Sequence, residues 1–288
     1  MKNFFQKFSF LFFFLFISFV FSSCGEKSKI IQLKGSDTMV NMAQALVEAF
    51  SKKYPKIYVA VTGGGSGTGV ASLISGTCDI AMCSRDMNQE EIEIAQKRNV
   101  NPYPIHIATD AIAIIVSPKN PVSKLTIDEL SDIFSGKKVF WKELGPYSGK
   151  IVALSRDRNS GTHVFFLEHV VKKGDKKSKE EFGKNVLMMP STQAIVEEVS
   201  SNPDAIGYIG LGYLNKKVKV LAISNGENFP YIIPSIETAI RKVYPISRTM
   251  FFYTNGAPSG DVGKFIDFAK SEEGRRIVLE SGFVPIKN

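Results

Sequence analysis

The stretch Val59–Leu73 reads VAVTGGGSGTGVASL. Glycine fills five of the seven positions from Gly63 to Gly69. A β-branched run (IYVAV) leads in as a strand, and a short helix around Val70 to Ser75 leads out. The loop between them is built for close backbone approach. Three templates for such a loop fail. G-x-x-x-x-G-K-[ST] needs a lysine after its last glycine, and Val70 follows Gly69. G-x-G-x-x-G places Thr68 or Val70 where its last glycine must stand. G-x-S-x-G lacks its closing glycine in Gly64-Gly65-Ser66-Gly67-Thr68, and no His–Asp pairing accompanies it. A nucleotide fits none of these, so a small anion or a plain turn remains.

The same unit recurs twice. Gly35–Thr38 (GSDT) follows the strand KIIQLKG and carries helix-capping chemistry at Ser36-Asp37-Thr38. A helix then runs from about Met39 to Lys53, with Met42, Leu46, Val47 and Phe50 on one face and Pro55 ending it. Asp157–Thr162 (DRNSGT) lies between the strand KIVALSR and the helix HVFFLEHVV. Each loop ends a strand, opens a helix and carries Gly, Ser and Thr. Ligands of open α/β sheets sit at the carboxyl ends of strands. A helix N-terminus there offers free N–H groups and a positive dipole end. One such loop alone reads as a helix cap. Three of one chemistry can surround a small anion with neutral donors.

The other elements alternate in the same way. CDIAMCSR is a third strand, and Asn88 with Glu91 makes a capping box for EEIEIAQKR. AIAIIVSP is apolar throughout, as in a strand buried on both faces. Thr126 and Glu129 open IDELSDIF, which Gly136 ends; Ser191 caps TQAIVEEVSS. AIGYIGLGYL is a strand and turn, KVKVLAI and RTMFFYTN are strands, and the tail from Val262 reads as two helices. Strand–helix alternation predicts parallel sheets. Cys78 and Cys83 match no zinc spacing; on opposite faces of one short strand they read as free buried thiols. His106, His163 and His169 are scattered and read as structural, so the sequence calls for no metal and no cofactor.

The N-terminus is read separately. Lys2 and Lys7 precede an apolar run, Phe8–Phe21, shorter than the roughly 20 residues of a bilayer span. FSSCG follows, so residues 1–23 form a secretory signal. Phe21–Gly25 resembles a relaxed bacterial lipobox, which implies cleavage before Cys24, lipidation of its thiol and a linker over 24–28. About 265 residues remain, enough for one large or two moderate domains. The whole chain carries +8, of which about +6 lies outside the signal. No basic stripe interleaved with aromatics appears, which disfavours nucleic acid.

LKGSDTM, VTGGGSGTGVASLISGTCDIAMCSR, SRDRNSGTHVFF and AIGYIGLGYL, in this order and spacing, resemble the periplasmic phosphate-binding proteins of ABC importers, in their compact lipoprotein branch. The resemblance implies an α/β fold of two lobes (periplasmic-binding-protein fold, type II). Each lobe would be a mostly parallel sheet flanked by helices, and two crossover strands would join them. Lobe I would hold 29–108 plus 247–288, and lobe II 111–244. The resemblance implies phosphate donors at Ser36, Thr38 and the Met39 backbone, at Ser66, and at Ser160, Gly161 and Thr162. Arg156 would supply charge, with Arg158 as rival.

The third strand ends Cys83-Ser84-Arg85, with arginine where the long branch has aspartate. Ser84 and Arg85 are then candidate contacts, and the carboxylate comes from Asp110 in IATDAIAII. Its alternative is a structural Arg85–Asp110 ion pair. The implied partners are inorganic phosphate, the transmembrane subunits of an ABC permease and a membrane reached through the lipid anchor, for a monomeric binder. Two other readings stand beside this one: the same fold holding sulfate, molybdate or a phosphonate, and an exported phosphohydrolase. The hydrolase needs a metal cluster or an activated nucleophile, and neither is evident in the sequence.

Overall fold

A computed structural model describes residues 30–286. The signal segment, Cys24 and the linker lie outside the described residues. No helix among the described residues is long and apolar enough to cross a membrane. The strands in chain order are β1 (Ile31–Gly35), β2 (Val59–Thr62), β3 (Ile80–Cys83), β4 (Pro102–Val116), β5 (Lys124–Thr126) and β6 (Val152–Arg156). They continue with β7 (Leu187–Met189), β8 (Ala205–Gly210), β9 (Lys219–Val220), β10 (Ala222–Ser224), β11 (Ser247–Asn255) and β12 (Val284–Pro285).

β4 is the spine of the molecule. Its first part, Pro102–Ala111, pairs antiparallel with β11, and its last part, Ile112–Val116, pairs antiparallel with β8. On one side β1 runs parallel to β2 and β3; on the other β6 runs parallel to β7 and β8. The parallel sheets expected from strand–helix alternation are therefore present at the flanks. The centre is antiparallel because β11 enters from the opposite half and needs no crossover helix to reach its neighbours. The apolar core divides the same way. Two clusters of buried residues draw on 31–108 and 250–283, and two draw on 111–246.

Several local readings hold. Asn88 and Glu91, and Thr126 and Glu129, form reciprocal capping boxes, and Ser191 caps its helix through the Ala194 N–H. Three readings shift. KVKVLAI splits into β9 and β10, which pair with β4 and β5 respectively. Cys78 lies before β3 begins, so the argument from opposite strand faces does not apply to it. Both thiols are free and buried in one apolar cluster. Burial pushes Cys78 up to about 12 and Cys83 further still.

The third shift concerns the glycine stretch. The helix expected near Val70 starts at Ser66 and runs to Ile74. Glycine at 67 and 69 weakens the local helical signal, but packing outweighs propensity. A Cβ on Gly69 would stand 2.7 Å from Lys34 O and 2.8 Å from Gly35 Cα, so the helix lies directly on β1. Gly65 precedes it at φ +94°, a conformation that a side chain would strain. Gly69→Ala is expected to destabilise the protein by about 1–3 kcal/mol through overpacking, measurable as a lower urea midpoint at unchanged slope.

Candidate functional site

The three loops meet. Ser66 Oγ accepts the Ser84 N–H at 3.0 Å and lies 3.3 Å from Ser84 Oγ. A Cβ on Gly161 would fall 2.3 Å from Ser66 Oγ and 2.6 Å from Ser84 Oγ, so the Gly161 backbone rests on this serine pair. Thr38 Oγ1 and Thr162 Oγ1 are 2.9 Å apart, across the two halves. The Gly67 N–H donates to Asn159 O at 3.0 Å, and a Cβ on Gly65 would stand 2.5 Å from that same oxygen. The glycine run thus approaches the backbone of the third loop. Ser36, Thr38, Ser66, Ser84, Ser160 and Thr162 are all buried. Ser160 Oγ accepts the Thr162 and His163 N–H groups as a helix cap, and its own hydrogen is still available to donate. The Met39 N–H, expected to face the ligand, donates instead to Ser36 O in a tight turn.

Of the two candidate arginines, Arg156 is 1% exposed while Arg158 is exposed. Arg156 donates to Thr192 Oγ1 at 2.9 Å, Pro190 O at 3.2 Å and Met189 O at 3.3 Å. Asp37 reaches it from the first loop, Oδ2 lying 3.3 Å from Nη1. The same Asp37 oxygen accepts the Thr192 N–H at 3.0 Å, and Asp37 O accepts from Tyr213 Oη at 2.9 Å. One residue of the first half therefore takes three bonds from the second.

Asp110 sits at the base, fully buried. Its partner is not Arg85. Asp110 and Arg248 are register partners on β4 and β11, and Nε and Nη2 of Arg248 meet Asp110 Oδ2 at 3.2 and 2.9 Å. Oδ1 accepts the Leu211 N–H at 3.2 Å. Burial pushes the carboxyl up from its ordinary value; Arg248 and the Leu211 N–H work against that. A Cβ on Gly210 would lie 2.6 Å from Thr38 Cγ2 and 3.0 Å from Asp110 Oδ2, so this glycine lets the first loop come down beside the carboxylate. Arg85 turns away: its guanidinium grips Glu91 with two bonds at 2.7 and 2.8 Å, because the helix Gln89–Lys97 brings a carboxylate alongside.

Sequence reasoning missed Arg248 and the bridging role of Asp37. A lone arginine in the apolar strand RTMFF was a visible signal, but its partner depends on strand register.

The PBP superfamily domain matches residues 22–273. The phosphate-binding protein PstS of Pseudomonas aeruginosa is 30% identical over 269 residues, covering 88% of this chain and 81% of its own. PstS of Borreliella burgdorferi is 30% identical over 268 residues, covering 91% and 92%. The chain belongs to the PstS family of the PBP superfamily. Among solved structures, a Clostridium perfringens protein assigned to phosphate ABC transport, with bound phosphate, superposes with a TM-score of 0.80 at 31% identity, covering 90% of this chain and 100% of its own. A phosphate transport receptor from Vibrio cholerae gives 0.70 at 27% identity, covering 89% and 100%. The two-lobed fold expected from the sequence is the fold of this family.

Behind the third loop of this PstS-family chain lies a polar network. His163 Nδ1 is 3.1 Å from Ser155 Oγ, which is 2.6 Å from Tyr208 Oη. The Arg156 N–H reaches the same Tyr208 oxygen at 3.4 Å. Burial pushes the His163 imidazole below its ordinary value. A histidine depressed in the folded state adds stability above about pH 6.5 and loses it as pH falls through the folded value. Unfolding free energy should therefore fall from pH 7 to pH 5, with a shallower decline in His163→Gln, read by urea denaturation across that range. Asp37→Ala removes two inter-lobe side-chain bonds and should weaken binding of any anion the cleft holds by ~10-fold or more, as titration calorimetry would report.

Proposed function

We propose that this chain is an extracytoplasmic receptor that binds inorganic phosphate between two lobes and delivers it to an ABC permease. The observation that carries this reading is the buried convergence of three Ser/Gly/Thr loops beside one carboxylate, Asp110. Phosphate near neutral pH keeps a proton to donate; sulfate and molybdate keep none. An ionised Asp110 only accepts, so it bonds phosphate and meets a lone pair on sulfate. A site with buried polar groups left unmatched discriminates by ~10⁴-fold or more. The donors are assigned to Ser36, Thr38, Ser66, Ser84, Ser160, Gly161 and Thr162, with Arg156 supplying positive charge from within the wall.

The lobes of this reading are 29–108 plus 247–288 and 111–244, a division supported by the separate apolar clusters. Because donors come from both lobes, phosphate favours the closed form, which the permease reads. The sequence around Cys24 supports export, cleavage and lipid anchoring; more than one acyl chain is needed for stable attachment. The role is binding rather than catalysis, and phosphatase activity should be absent with or without divalent metals. Ligand-stripped protein should bind phosphate and reject sulfate and molybdate in calorimetry. In Asp110→Asn the phosphate-to-sulfate ratio should collapse; an unchanged ratio would sink the role given to Asp110.

A further inference from the structure

The ligand-facing geometry of Asp110 is set by a residue that does not belong to any of the three loops. Arg248 directs two donors, Nε and Nη2, onto the same oxygen, Asp110 Oδ2. That oxygen is thereby saturated. Oδ1 carries one weak bond, from the Leu211 N–H at 3.2 Å, and keeps a lone pair. Thr38, which lies against Thr162 in the loop cluster, also lies beside Gly210, next to the carboxylate.

The pair has almost no contact with water, with side-chain exposures of 1% and 0%. A carboxylate removed from water reverts to the neutral acid unless a charge opposes it. Among the described residues, Arg248 is the cation in direct contact with this carboxylate. Around the pair stand Tyr208, Arg156 and Tyr244, and the Phe165 ring lies 5.9 Å from the guanidinium carbon. Tyr244 Oη donates to Ile112 O, so it is committed elsewhere. Nη1 of Arg248 is buried with no partner among the described residues, and the other two guanidinium nitrogens are both committed to Asp110.

We propose that Arg248 is a specificity-determining positioning residue: it holds Asp110 as a charged acceptor with Oδ1 turned to the anion, and so sets the preference for a protonated oxyanion over an unprotonated one. This rests on the phosphate reading above. Without Arg248, the buried Asp110 takes up a proton and becomes a donor. It then meets sulfate as well as it meets phosphate.

The experiment measures phosphate and sulfate dissociation constants by calorimetry for wild type, Asp110→Asn, Arg248→Met, Arg248→Lys and the double variant Asp110→Asn/Arg248→Met. The expected result is a phosphate-to-sulfate ratio lowered ~10–100-fold in Arg248→Met. Arg248→Lys, which keeps the charge, should recover most of it. The double variant should fall no further than Asp110→Asn, because both changes act on one group. An Arg248→Met protein that binds both anions more weakly by the same factor would overturn the proposal and leave Arg248 a structural brace. Should Arg248→Met fail to fold, Arg248→Gln carries the test by the same criterion, a lowered ratio supporting the proposal and an unchanged one overturning it. If Asp110→Asn itself leaves the ratio unchanged, the phosphate reading of Asp110 fails first. If that variant shifts the ratio and neither Arg248→Met nor Arg248→Gln does, only the role of Arg248 fails.

Discussion

The Asp110–Arg248 ion pair joins the two strands on which the architecture turns. β4 and β11 are the connections between the halves, and the pair sits where they lie in register at the boundary. An ion pair in that position must be well made, because removing one partner leaves an uncompensated charge away from water. It therefore constrains several things together. It holds the side chains of two register partners together, fixes the carboxylate's position, and with Thr38 leaves room only for glycine at position 210.

Above that base, the site is an exercise in bringing backbones together. Hydroxyls and amides are individually weak donors, and here six buried Ser and Thr hydroxyl groups are gathered into one place. The chain reaches this density by omitting side chains. Gly161 lies on two serine hydroxyls, and Gly65 and Gly67 lie on the Asn159 carbonyl. The helix Ser66–Ile74 starts within the glycine stretch because Gly69 lets it sit on β1. The polar contacts between halves collect on Asp37, which ties the first loop to Arg156, Thr192 and Tyr213. The first loop and the wall around Arg156 are thereby held together through one residue.

Much of this was legible in the chain. The caps at Asn88, Thr126 and Ser191 follow from chemistry over three or four residues, and they formed as read. The strand–loop–helix units were legible for the same reason, since hydrophobic period and turn residues are local signals. The start of the helix at Ser66 was not, because glycine propensity argues against it and the opposing term is contact with a distant strand.

By itself, the sequence determined that three Gly/Ser/Thr loops end strands and open helices, that one aspartate enters an apolar strand, and that no nucleotide template is met. Those are statements about neighbours along the chain. Only the tertiary structure decided that Arg248 holds Asp110, that Arg85 is taken by Glu91, and that Asp37 bridges the lobes. Asp110 and Arg248 are 138 residues apart, and Asp37 and Thr192 are 155 apart. Contacts at such separation depend on strand register and lobe closure, and no spacing within the sequence encodes them.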